Sequence, residues 1–246
     1  MSEPAPQKAP ILRIEGACTN IAQYHILQGV DLEVPAGAVT MLLGRNGVGK
    51  TTTLRTIMGL WRAHRGRITF DGQEITALPT PAISRAGIGF VPEDMGIFSD
   101  LTVEENMTLA AASGPLDSAR LDWIFAAFPP LKTFWKKEAG TLSGGQKQML
   151  AIARAMAEER KLYLIDEPTK GLAPAIIATM AGALRDLKAQ GASILLVEQN
   201  FGVARMLGDT CAVMDDGRTV WTGAMADLAD DTSLQERLMG LSMETA

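Results

Sequence analysis

Eight consecutive residues, Gly44-Arg45-Asn46-Gly47-Val48-Gly49-Lys50-Thr51, carry the pattern G-x-x-x-x-G-K-[ST], and each position has a reason in phosphate chemistry. Glycines let the backbone close around phosphate oxygens, so that successive N–H groups and the positive end of a following helix face the anion. Lys50 would reach the outer phosphates. Thr51 offers a hydroxyl to Mg²⁺, a hard cation that takes oxygen ligands and keeps waters, and Thr52 belongs to the same phosphate-binding set. Further on, Leu162-Tyr163-Leu164-Ile165-Asp166-Glu167 ends an apolar run in two carboxylates. Asp166 suits the Mg²⁺ shell, and Glu167 suits activation of a water, as general base or by positioning it. The bland alternative, solvated acids after a strand, is weaker because the apolar run delivers them from a buried sheet. A third stretch, Leu142-Ser143-Gly144-Gly145-Gln146, offers Ser143 as a helix N-cap and two glycines that permit close approach, which presents N–H groups to an anion.

These residues need rigid elements beneath them. Residues 39–43 (VTMLL) form an apolar run that stops at the glycine loop, and helix-forming residues follow from 50 to 58, so the loop has a strand before it and a helix after it. Apolar runs at 87–91, 162–165, 193–197 and 211–214, separated by helical patterns, read as buried parallel strands. Alternation over residues 11–34, closed by Pro35-Ala36-Gly37, predicts antiparallel strands, and Asp215-Asp216-Gly217 predicts a hairpin at the sheet edge. Between residues 101 and 157 the strand signal vanishes, which predicts a helical insertion. The stretch 224–241 reads as amphipathic helix.

A net charge of −5 argues against a nucleic-acid partner, because phosphate-backbone binding needs clustered lysine and arginine. Cys18 and Cys211 have no metal-ligand spacing and read as buried thiols. Residues 1–10 read as a disordered tail, neither signal nor anchor. No run reaches the 18 or so apolar residues of a spanning helix.

The glycine loop is the Walker A pattern, residues 162–167 resemble Walker B, and Leu142–Gln146 resembles the signature of ATP-binding cassette ATPases. The chain is therefore similar to that family over most of its length. What the resemblance implies is an ATPase with ATP and Mg²⁺ as cofactors. The implied fold is α/β: a P-loop NTPase (RecA-like) core with a small antiparallel β lobe and a helical insertion carrying the signature. The corresponding boundaries are 11–246 for the ATPase domain, with 11–91 and 158–222 as lobe and core, 92–157 as helical subdomain and 223–246 as C-terminal helices. In such cassettes Ser143, Gly144, Gly145 and Gln146 would face a γ-phosphate held by a partner subunit, which implies a functional dimer.

Three positions depart from the family pattern. Where a glutamine usually touches the metal at the lobe junction, this chain has Glu93, which would bring a full charge. The switch histidine is replaced by Gln199, which can donate a hydrogen bond but carries no charge, so slower turnover is expected than at a site with histidine. The aromatic residue that stacks on adenine is displaced: Ile21 stands in that frame and Tyr24 lies three residues later. Val91-Pro92-Glu93, Gly171-Leu172-Ala173-Pro174 and Val197-Glu198-Gln199-Asn200 together resemble the second ATPase of branched-chain (hydrophobic) amino acid importers, whose relatives import amides and urea. That branch implies a second ATPase subunit as heterodimer partner, with a homodimer as the alternative in isolation. It also implies two membrane permease subunits contacting Ile97, Phe98 and Leu101, a solute-binding protein acting indirectly, and a cytoplasmic location on the inner face of the plasma membrane. The competing reading is a soluble cassette ATPase switch without a transporter.

Overall fold

The computed structural model describes residues 10–111 and 114–239; residues 1–9 of the expected tail lie outside them. The chain opens with β1 (Pro10–Ile21) and β2 (Tyr24–Pro35), long antiparallel strands whose alternating buried residues include Leu12, Ile14, Leu32 and Val34. β3 (Val39–Leu43) leads into α1 (Lys50–Ile57), and β4 (Ala63–Phe70) and β5 (Gln73–Glu74) then complete a four-stranded antiparallel sheet in the order β2-β1-β4-β5. β4 has no counterpart in the sequence reading. Its first half, His64-Arg65-Gly66-Arg67, is polar and exposed, so only Ile68 and Phe70 bury, and periodicity had too little to register.

After α2 (Thr80–Arg85), β6 (Ile88–Val91) returns to a second sheet. The helical insertion follows as α3 (Val103–Ala110), α4 (Ser118–Ala127), α5 (Pro129–Thr133), a 3₁₀ turn (Ala139–Thr141) and α6 (Gly144–Met156). β7 (Leu162–Asp166), α7 (Pro174–Ala189), β8 (Ser193–Val197), α8 (Phe201–Leu207), β9 (Thr210–Asp215) and β10 (Arg218–Ala224) close the six-stranded sheet β10-β9-β3-β8-β7-β6. Every residue of β3, β7 and β8 is buried, as expected of parallel strands covered on both faces. β10 is the antiparallel edge, joined through Asp216 and Gly217, both at positive φ, as the Asp-Asp-Gly turn requires.

Two hydrophobic cores flank this sheet. One packs the helical insertion and α7 against Val91, Tyr163, Ile165, Ile194 and Leu196. The other joins the antiparallel lobe and α1 to Leu42, Leu162, Leu164 and Leu195.

The amphipathic stretch expected over 224–241 is built as two helices. α9 (Met225–Asp230) and α10 (Thr232–Met239) are separated at Asp231, whose carboxylate accepts the Leu234 N–H at 2.9 Å and starts a new helix. Ala224 belongs to β10, and residues 240–246 lie outside the described part. Cys211 is buried, with its thiol pushed up to about 12 by burial and, less, by Asp227. Cys18 is only half-buried, contrary to expectation. Among the described residues no helix is long and apolar enough to cross a membrane.

Candidate functional site

Residues 44–49 form a loop between β3 and α1 whose glycines are fixed by contact as well as by dihedral angle. A Cβ on Gly44, at φ +139°, would stand 2.4 Å from the Met214 carbonyl oxygen, so no other residue fits there without moving the neighbouring strand β9. Gly49 sits in the left-handed region immediately before α1. The Lys50 ammonium folds back across the loop and donates to the carbonyls of Gly44 at 2.7 Å and Arg45 at 2.9 Å. It is nearly buried. Desolvation lowers its pKa, while the nearby carboxylates of Glu167, Asp166 and Glu93 act in the opposite direction.

Asp166 ends β7 and is fully buried, with no hydrogen-bond partner among the described residues at either carboxylate oxygen. Burial lifts its pKa from 3.8 to about 6; the Thr51 hydroxyl opposes the shift without a properly aligned hydrogen bond, and Glu167 and Glu93 add to it. An orphaned, buried carboxylate beside a hydroxyl is an incomplete oxygen shell, and it fits Mg²⁺. Among the described residues no three His, Cys, Asp or Glu side chains are grouped to hold a metal unaided. The protein would thus supply only part of the shell, leaving room for phosphate oxygens and water.

Glu167 adopts φ +46°, in the left-handed region where a non-glycine residue is strained. Its N–H donates to the Val197 carbonyl at 2.9 Å, one step beyond the Asp166–Val197 pairing of β7 with β8. One side-chain oxygen accepts from Gln199 Nε2 at 2.6 Å, and the other lies 3.4 Å from Lys170 Nζ, which also donates to Glu93 at 2.7 Å. Glu198 is buried behind this group. It accepts from the Thr169 N–H at 3.1 Å and hydroxyl at 2.7 Å, and from the Gln199 N–H at 3.2 Å, fastening the loop after β7 to the loop after β8. Burial raises its pKa, and these hydrogen bonds counter the shift.

One cavity of about 400 Å³ brings together Asn46, Gly47, Gly49, Lys50, Thr51 and Thr52 with Glu93, Glu167 and Gln199. Ile21, Ile26 and Lys170 complete its wall. Tyr24, expected against a base, is not part of that wall: it stands at the hairpin end of β2, 63% exposed, while the aliphatic Ile21 and Ile26 face the cavity. Gly44 and Arg45 line an adjoining space with Glu198 and Phe201, and Val48 is buried beneath the loop.

Residues 143–146 do not line the cavity. They begin α6, where the Ser143 hydroxyl accepts the Gln146 N–H at 3.4 Å and the Gln146 side chain accepts the Ser143 N–H at 2.9 Å, a reciprocal cap. Ser143 and Gly144 are exposed, whereas Gly145 is packed so closely that a Cβ would meet Ile176 at 3.0 Å. At the far end of α6, Arg154 donates to the Gly96 carbonyl and lies over the Phe98 ring at 5.0 Å. Asn106 of α3 clasps the same segment, accepting from Phe98 N–H and donating to its carbonyl, both at 2.9 Å.

A glycine loop between a buried parallel strand and a helix, with an Asp-Glu pair at the end of another strand of that sheet, defines a P-loop nucleoside triphosphatase. The ABC transporter family profile matches residues 27–170. The chain is 37% identical over 232 residues to the high-affinity branched-chain amino acid transport ATP-binding protein BraG of Pseudomonas aeruginosa, covering 94% of this chain and all of that one. It is 38% identical over 225 residues to the probable branched-chain amino acid transport ATP-binding protein LivF of Archaeoglobus fulgidus, covering 89% and 94%. Among solved structures, a nucleotide-free ATP-binding cassette from an ABC transporter superposes with a TM-score of 0.79 at 26% identity, covering 94% of this chain and all of that one. The chain belongs to the ABC transporter family, as an ATP-binding subunit that hydrolyses ATP.

Lys170 and Glu198 were not singled out as site residues in the sequence. The only signal was a charged residue directly after an apolar strand, at Glu198, and a lysine three residues past Glu167.

Proposed function

We propose that this chain energises an importer for branched-chain or related amino acids, amides or urea, as the second of two ATPase subunits bound to a pair of permeases at the inner face of the plasma membrane. The reading is carried by one observation: Lys50 and Thr51 at the start of α1, and Glu93, Glu167 and Gln199 from three separate loops, face a single cavity. Near full-length likeness to BraG and LivF supports the substrate class.

In this reading Lys50 exchanges the carbonyls of Gly44 and Arg45 for the β- and γ-phosphates, to which the loop N–H groups also donate. Thr51 and Asp166 would hold Mg²⁺, with Glu93 at its edge; the ion supplies charge neutralisation on the phosphates. Glu167 accepts a proton from the attacking water while Gln199 holds its other oxygen. Ile21 and Ile26 give the base an apolar wall, and Tyr24 reaches it only by a shift of the hairpin. Ser143, Gly144, Gly145 and Gln146, capped away from this cavity with Ser143 and Gly144 exposed, serve the nucleotide of the partner subunit. Ile97, Phe98 and Leu101 offer the permease its contact.

Glu167→Gln tests the chemistry. Phosphate release should fall about 10²- to 10⁴-fold while ATP binding, measured by calorimetry, persists and the dimer accumulates. Normal hydrolysis by this variant would refute the role of Glu167. Copurification with permease subunits and ATP-dependent uptake of leucine into proteoliposomes test the transport reading; recovery of an active ATPase that never associates with permeases would favour the soluble switch.

A further inference from the structure

Among the described residues, Lys50 and Lys170 reach the cavity, and they do different things. Lys50 is committed to the glycine loop, through the Gly44 and Arg45 carbonyls. Lys170 contacts carboxylates from two loops: Glu93 after β6 at 2.7 Å, and Glu167 after β7 at 3.4 Å. The remaining partner of Glu167 is Gln199, which is neutral.

This leaves an electrostatic problem that Lys170 answers. Glu93, Asp166 and Glu167 would all face a polyanionic triphosphate, and like charges at that range repel. A cation in contact with two carboxylates offsets that repulsion and constrains where their oxygens point.

We propose that Lys170 is a positioning residue for Glu167, supplying from the loop after β7 the positive partner that Gln199 cannot, and bridging Glu167 to Glu93 so that both acids keep their place beside the nucleotide. The inference rests on Glu167 being the group that activates water. Lys170 is itself more than half exposed, so its ion pairs contribute little to folding. Its effect falls on where Glu167 points, which a variant should expose without unfolding the chain.

The experiment compares Lys170→Met and Lys170→Arg in the full chain, each with Gln199 and with Gln199→His. Lys170→Met should lower kcat about tenfold with KM for ATP within about twofold and an unchanged melting temperature, and Lys170→Arg should retain most of the rate. In the Gln199→His background the loss should shrink to about threefold or less, because the imidazolium supplies a second cation. An independent reading needs no turnover. Mn²⁺ titrated without nucleotide, with free ion counted by electron paramagnetic resonance, should bind several-fold more tightly to Lys170→Met, since the acids have lost their resident cation. Wild-type kcat and Mn²⁺ affinity in Lys170→Met would overturn the proposal, as would a loss confined to KM, which would make Lys170 a nucleotide-binding residue. A Glu167→Gln chain that hydrolyses ATP as fast as wild type would instead overturn the assignment of Glu167, and the Mn²⁺ comparison would still report on the Lys170 bridge.

Discussion

Replacing Asp166 with asparagine should make the metal-free chain more stable while abolishing Mg²⁺-dependent hydrolysis. The Asp166 carboxylate is fully buried with no hydrogen-bond partner among the described residues, and its pKa is lifted from 3.8 to about 6. A difference of about 2 in pKa, at about 1.36 kcal/mol each, means that burying the ionised group costs about 3 kcal/mol at neutral pH. The substituted amide is also buried without full satisfaction, which takes back about 1 kcal/mol and leaves a net gain of about 2 kcal/mol. The pH dependence has a definite sign. Between 3.8 and about 6 the folded chain binds more protons at this site than the unfolded chain, so wild-type stability rises as pH falls through that window, and the advantage of the variant fades. Urea denaturation in the presence of EDTA, at about pH 7.5 and about pH 4.5, reads both effects through the midpoint at constant slope. Adding Mg·ATP at about 100 times its Kd should stabilise the wild type by about 2.7 kcal/mol and the variant far less, inverting their order. A variant less stable than wild type at about pH 7.5 without metal, or an advantage equal at both pH values, would refute the reasoning.

Glu198→Ala leaves the buried N–H and hydroxyl of Thr169 without their acceptor, which should cost about 3 kcal/mol and lower the melting temperature by about 6 to 12 °C. Glu198→Gln keeps one acceptor and should lose less than half as much; calorimetry that finds the alanine variant unchanged would remove this link between the two loops. Gly44→Ala forces a Cβ against the Met214 carbonyl, so the loop must shift; ATP affinity by titration calorimetry should drop at least about tenfold with a stability loss of about 1 to 3 kcal/mol.

What the sequence reveals depends on how local each signal is. β3, β7 and β8 were legible because parallel strands buried on both faces become unbroken apolar runs, and the Asp-Asp-Gly hairpin because its backbone demands those residues. β4 escaped because half its length faces water, and the position of the break between α9 and α10 escaped because one capping aspartate interrupts a period that otherwise continues. The glycine loop and the Asp166-Glu167 pair are contiguous, so spacing alone exposed them. Lys170 and Glu198 act across the fold, one on Glu93 from 77 residues away and the other on Thr169 from 29, and no short motif records such a meeting. Tyr24 illustrates the converse: an aromatic residue near the expected frame is drawn to attention by type, but the cavity wall is formed by Ile21 and Ile26 on either side of it.

Helix α6 joins two distant errands. Its first residues follow the Ser143 cap, and its last turn grips Gly96 and Phe98 through Arg154. Thirteen residues at about 1.5 Å each make a strut some 20 Å long, stiffened at its start by the reciprocal cap and by the close approach of Gly145 to Ile176. A tug at the serine end therefore arrives at the phenylalanine end as a tilt of the whole rod rather than as a local bend. If the serine end serves a neighbouring subunit's nucleotide and a permease docks beside Phe98, as proposed, the two are linked through one moving part.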